Sequence, residues 1–241
     1  VTTGVPFPRG GLKDPRRCRL VDDRGHEQLL QSRVTATWDA ARSSIRWLTI
    51  DFLAQPGRRY HLEYGPSVRR KELSSLTVVE SGSGTEATLV KAGRWIFEFR
   101  NNPARLARIA LDADGDAAVD DEEVVCDGAV HYYVDGNGER AESRSGGRVV
   151  VEESGPVRAC VRVDGICQPP QGDAIVPHRT RYHILGVGGL VRAVHEFRVV
   201  GSTRGTVFRD IGFELRLPEA SPGRWITAPL PDSQPGQQNV A

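Results

Sequence analysis

Ser44-Ile45-Arg46-Trp47-Leu48-Thr49-Ile50-Asp51-Phe52 is the stretch on which the fold turns. Its apolar residues recur with a period of two. Ile45, Trp47, Thr49 and Asp51 fall on one side, and Arg46, Leu48, Ile50 and Phe52 line the other. Both sides carry large apolar groups. That predicts a central strand covered on both faces, with Trp47 buried. Arg33 to Trp38 is a second β-rich run, ended by Asp39 and a turn. Arg59 to Gly65 follows the turn signal Gln55-Pro56-Gly57. Short strands and no long helical pattern over residues 1–80 predict a small barrel.

Ser81-Gly82-Ser83-Gly84 is flexible in composition and marks the expected domain boundary, with a hairpin loop as the other reading. Strands resume at Arg94 to Phe99 and at Val130 to Val134, the latter before the Asp135-Gly136 turn. Arg148 to Glu153, Pro156 to Val163, Arg179 to Leu185, Leu190 to Val200 and Thr206 to Leu217 complete the set. Strands of this length and spacing over 81–217 predict an antiparallel β-sandwich. Residues 218–241 read as a linker or the start of a further domain. The fold class is therefore all-β.

The 241 residues are 39% hydrophobic, enough for a packed core. A formal net charge of +1 argues against a dedicated nucleic-acid binder. No apolar run approaches the roughly 20 residues needed to span a bilayer, and no secretory signal opens the chain. There is no Met, so the sequence reads as a processed chain or an excised piece. Cys18, Cys126, Cys160 and Cys167 match no zinc spacing. Cys160 and Cys167 could meet across a bend; disulfides in any pairing and buried free thiols both stay open.

Two segments carry a resemblance. One is Gly4-Val5-Pro6-Phe7-Pro8-Arg9-Gly10 with Leu20-Val21-Asp22-Asp23-Arg24-Gly25. The other is Ser44 to Leu48 followed by Asp51-Phe52. This order resembles the N-terminal RIFT-barrel domain of exo-rhamnogalacturonan lyase-like proteins. Glu153-Ser154-Gly155-Pro156-Val157-Arg158 and the hairpin around Arg181-Tyr182-His183 are similar to that family's central β-sandwich. The resemblance implies a secreted or periplasmic polysaccharide lyase acting on pectin-like or other uronate-containing chains. It also implies a following α-helical toroid that holds much of the cleft. No helical repeat is present here, so the chain is expected to lack lyase activity alone. The alternatives are a stand-alone carbohydrate-binding module and an extracellular interaction protein.

Elimination across a uronate needs a cation or donor at the carboxylate, a base for the neighbouring proton and an acid at the leaving oxygen. Pro177-His178-Arg179-Thr180-Arg181-Tyr182-His183 is the only dense set of suitable types. On a strand, Arg179, Arg181 and His183 share one face, and His178, Thr180 and Tyr182 the other. All five non-Thr side chains from His178 to His183 are candidates to bind an acidic polysaccharide. The competing reading is a solvated face balanced by Arg192, Glu196 and Arg198. His195 reads as a hydrogen-bonded core histidine. His131 with Tyr133, and Tyr60 with Tyr64, could stack on sugar rings but read first as sheet packing. Trp38, Trp47 and Trp95 are assigned to the core, and Trp225 is left open.

Asp112, Asp114, Asp116, Asp120 and Glu123 fall at positions 1, 3, 5, 9 and 12 of an EF-hand-type loop. They are the candidate Ca2+ ligands. Ala117 stands where such a loop takes Gly, and no helices flank it, so a solvated acidic loop is the default. No Ser-His-Asp order, phosphate-binding glycine loop or dinucleotide fingerprint is present.

Overall fold

The computed structural model of the chain describes residues 1–71, 74–80, 87–169, 176–200 and 207–218. Among these residues there is no α-helix; Asp121–Glu123 forms a 3-10 turn. The first domain joins two small sheets. One contains β1 (Thr2–Pro6), β4 (Leu30–Thr37) and β5 (Ile45–Phe52). The other contains β2 (Cys18–Asp22), β3 (Glu27–Gln28) and β6 (Tyr60–Tyr64). They enclose Phe7, Leu12, Leu20, Leu30, Leu48, Ile50 and Phe52. Strand β5 is central, pairing with β1 and β4.

Leu48, Ile50 and Phe52 enter this core from one side of β5 and Ile45 joins them at the strand's start, but the other side is not covered along its length. Trp47, expected to be buried, is 43% exposed, and Trp38 is 42% exposed. The reason is Gly4 on β1. Its bare backbone lets the Trp47 indole lie on the outside of the sheet; a Cβ there would come within 2.3 Å of Trp47 Nε1. Trp38 is tethered outside too, its Nε1 donating to Phe7 O at 3.0 Å, with the Arg46 guanidinium 5.0 Å from its ring. Trp95 does pack against a core, that of the second domain. Trp225 lies outside the described residues.

The second domain is a sandwich. A five-stranded sheet runs β7 (Leu76–Glu80), β8 (Ala87–Ala92), β9 (Trp95–Asn101), β10 (Ala104–Leu111) and β11 (Val124–Cys126) in simple meander order. Its partner is the antiparallel sheet β14 (Arg148–Ser154), β15 (Arg158–Cys167), β16 (Val176–Leu185) and β17 (Val191–Phe197). Phe97, Phe99, Leu106, Val161, Val163, Tyr182 and Ile184 fill the space between them. A third sheet orders β12 (Ala129–Asp135) between β13 (Arg140–Glu142) and β18 (Phe208–Leu215). It packs Tyr133 and Ala141 against Cys167 and Val176.

Strand β7 pairs with β8, so the sandwich begins before residue 81 rather than after the expected boundary. Ser81-Gly82-Ser83-Gly84 itself lies outside the described residues, between these two paired strands. Most of 218–241 lies outside them as well. No helix among the described residues is long and apolar enough to cross a membrane.

Candidate functional site

Strand alternation places Arg179, Arg181 and His183 on the outer face of the four-stranded sheet, as expected. The antiparallel register sets Arg179 opposite Asp164, and Arg181 opposite Arg162. Acidic neighbours on β14 and β15 then neutralise the row. Arg179 Nε lies 2.7 Å from Asp164, and Arg162 bonds Asp164 at 3.0 Å and Glu152 at 2.7 Å. Arg181 reaches Glu152 and Glu196, both at 2.8 Å. Of the three residues expected to balance this face, Glu196 takes part directly, while the main anions are Glu152 and Asp164.

Glu152 is the hub. The Arg181 guanidinium, and then that of Arg162, hold its carboxyl down to about 2. A folded-state value below the unfolded one gives stability that is present above about pH 4.5 and lost as the pH falls toward about 2. Glu152→Gln should flatten the acid limb of a melting-temperature profile across that window. A limb identical to wild type would show that the network adds no net stability.

The segment Glu153-Ser154-Gly155-Pro156-Val157-Arg158 forms the joint between the domains. The buried Gln31 of β4 accepts the backbone N–H groups of Val157 and Arg158 at 3.2 and 2.9 Å, and donates to Glu153 at 2.7 Å. Gly155 must be bare, because a Cβ would come within 2.3 Å of the Gln31 carboxamide carbon. Arg158 bonds Glu153 at 2.6 Å and reaches Asp51 at 3.6 Å. The Ser75 hydroxyl donates to Pro156 O at 2.9 Å. This motif therefore holds the sandwich to the barrel.

A groove of about 660 Å3 runs along the joint, with Arg33, Arg70 and Lys71 on the barrel side and Thr77, Glu153 and Pro156 on the sandwich side. Arg33 and Glu153 continue into a hollow of about 300 Å3 that holds Arg158, Arg181 and His183. Among the described residues the side chains of Arg33, Arg70 and Lys71 have no carboxylate partner; Arg70 bonds Leu30 O and the Ser32 hydroxyl. Burial, with Arg158 and Arg192 nearby, lowers the His183 pKa and favours its neutral form. Arg33, Arg70 and Lys71 lie in no motif; only the docking of two domains shows that they line one groove, which Arg33 connects to the hollow of Arg181.

The other two candidates of this segment point inward. Tyr182 is 2% exposed, beside Phe99 in the sandwich core. His178 is 4% exposed and meets His131 and His195, with ring centroids 4.2 and 5.8 Å away. His195 Nδ1 and His131 Nε2 both lie within hydrogen-bond reach of the Thr180 hydroxyl, at 2.8 and 3.2 Å, in keeping with a bonded core histidine at 195. His131 and Tyr133 are buried, and Tyr60 is partly buried against Phe52, which fits the packing reading. Tyr64 is exposed at the barrel edge with its ring against Phe7.

In the acidic loop, carboxylate oxygens of Asp112, Asp114 and Asp116 lie within 4.8 Å of one another. Both Asp112 oxygens already accept backbone N–H groups, from Gly115 at 2.6 Å and Ala117 at 3.2 Å. Ala117 takes the left-handed conformation, φ +64°, at the place expected of Gly. Asp120 and Glu123 are not part of this cluster; Glu123 accepts the Ala113 N–H instead. All four cysteines are free and buried. Cys160 and Cys167 lie on one strand, β15, seven residues and thus about 23 Å apart, so no bend brings them together.

No curated protein matches the chain. Two family models do. The PcRGLX-like N-terminal RIFT barrel domain matches residues 1–65, and the PcRGLX-like protein central beta sandwich domain matches residues 78–222. These spans contain the barrel strands β1 to β6 and nearly all of the sandwich. The chain thus belongs to the PcRGLX-like family, as its N-terminal RIFT barrel followed by its central β-sandwich.

Proposed function

We propose that the two domains form one wall of the cleft of a rhamnogalacturonan-type lyase, and that the groove at their joint binds an acidic polysaccharide. The observation that carries this reading is the groove itself. It collects Arg33, Arg70 and Lys71 without carboxylate partners among the described residues, next to Arg181 and His183. Substrate carboxylates can take the Arg33 guanidinium, whose planar fork suits two oxygens, and the Lys71 ammonium. The neutralised row at Arg179 offers no such vacancy. An α-helical domain would supply the facing wall, as the family resemblance implies. A polymer substrate of this kind implies a secreted or periplasmic protein.

The test is titration of an oligouronate against the chain at low and high salt. The Arg33→Ala, Lys71→Ala double variant should bind at least about tenfold more weakly at low salt, one charge-assisted contact being worth about 1.5–3 kcal/mol. The gap should shrink as salt screens the exposed charges. Arg179→Ala should bind like wild type. Equal affinity for wild type and double variant would overturn the assignment. A second reading, a stand-alone carbohydrate-binding module, is favoured by the outward Trp47 indole lying on Gly4. Binding of neutral sugars, lost in Trp47→Ala and unchanged in the Arg33 and Lys71 variant, would support it instead.

A further inference from the structure

Buried imidazoles need partners, because each neutral ring carries one donor and one acceptor. His195 and His131 each use one nitrogen at Thr180. Among the described residues His178 has none: both of its ring nitrogens are buried without a hydrogen-bond partner there, as is Nδ1 of His131. A bonded core histidine therefore describes His195 but not His178.

The three rings come from three strands. His131 sits on β12, and His178 and His195 on β16 and β17, so the cluster bridges the third sheet and the four-stranded sheet. One ring nitrogen from each lies within 4.8 Å of one from each of the others. Beside His178 the backbone leaves room at Gly165, where a Cβ would come within 2.5 Å of His178 Nε2 and 2.6 Å of Ser143 Oγ. That Ser143 hydroxyl is also buried without a partner. His178 lines a cleft of about 680 Å3, which gives a small ion a way in.

We propose that His131, His178 and His195 bind a divalent transition-metal ion of the zinc class, with Ser143 Oγ or a water at the fourth position. Three neutral imidazoles without a carboxylate suit zinc-like ions and disfavour calcium and magnesium, which take oxygen ligands. Zn–N bonds of about 2.0–2.1 Å in a tetrahedron put the nitrogens about 3.4 Å apart, and the three nitrogens, already within 4.8 Å of one another, would settle to that spacing on loading. Ligation through His131 Nδ1 and His195 Nε2 would leave Thr180 as an outer partner that fixes the two rings relative to each other. The ion ties two sheets together, so its loading stabilises the fold. Burial and the neighbouring imidazoles lower the pKa of His131 to about 2, and burial and His195 that of His178 to about 4, so both are ready as neutral ligands.

The experiment uses the full 241-residue chain, stripped with a chelator and titrated with Zn2+ by calorimetry. One ion per chain and a higher melting temperature are expected. X-ray absorption on the loaded wild type should show a nitrogen shell near about 2.0 Å with three histidines. His195→Gln should weaken Zn2+ binding by at least about 100-fold, beyond the about 10- to 100-fold cost of losing an outer partner. His61→Gln and Asp114→Asn should leave it unchanged, which separates the cluster from the surface and from the acidic loop. No stoichiometric uptake by the folded wild type, a shell without three imidazoles, or uptake that survives His195→Gln would overturn the proposal.

Discussion

Tyr182→Ala is expected to destabilise the sandwich by about 3–5 kcal/mol, the range for emptying a large aromatic site. The ring lies in the main core, 5.4 Å from Phe99 and nearly edge-on to it. It stands between Val161 and Ala193 on the flanking strands. Neither sheet can close over so large a gap without moving the other. For a domain of this size the loss corresponds to about 6–20 °C in melting temperature. Tyr182→Phe keeps the ring and loses only a long 3.4 Å contact with His131, so it should melt close to wild type. It should also bind an oligouronate like wild type. Scanning calorimetry on both variants decides the matter. An alanine variant melting within two or three degrees of wild type would mean that Tyr182 is not the keystone of this core.

Gly128→Ala should cost at least about 3 kcal/mol, through two effects that add. The residue has φ +98°, a conformation that costs a residue with a side chain about 1–3 kcal/mol. A Cβ there would also stand 2.5 Å from Ala107 O and 2.6 Å from Leu106 O. These carbonyls belong to β10, at the place where its register with β9 shifts, and backbone cannot swing aside as a side-chain tip can. Gly93→Ala is the control: φ is +62° and no described residue lies within 4 Å of its Cβ position, so only the conformational cost of about 1–2 kcal/mol applies. Chemical denaturation of the two variants should separate them clearly. Equal midpoints would show that β10 yields and that the clash costs nothing.

Much of the fold was legible because strands announce themselves locally. Ser44 to Phe52 is a central strand, and the order of barrel then sandwich follows from turns and alternation. Trp47 was misjudged because alternation tells which residues share a side, not what covers that side; Gly4, on another strand, decides it. The domain boundary slipped past β7 because a flexible composition suits a hairpin as well as a linker. The inward and outward faces of His178 to His183 were readable from the period of two. The anions that neutralise Arg179 and Arg181 were not, since Glu152 and Asp164 arrive through strand register. His131, His178 and His195 stand far apart in sequence at no motif spacing, and only the stacking of two sheets gathers them. Glu153 to Arg158 was recognisable as a motif, yet its role depends on Gln31 of the other domain.

The four unpaired thiols have a consequence for how this protein can be watched. Because no cross-link has to form, folding needs neither an oxidant nor a disulfide isomerase, and the same native state is open to the chain with or without a reductant. Burial pushes Cys160 up to about 11 and Cys167 up to about 12, so neither is a ready nucleophile while the sheets are closed. Alkylation then reports breathing rather than surface chemistry. Cys18 belongs to the barrel, while Cys126, Cys160 and Cys167 sit in the second domain. A single labelling time course, read by peptide mapping, would clock the opening of each domain separately, using probes that the chain already carries.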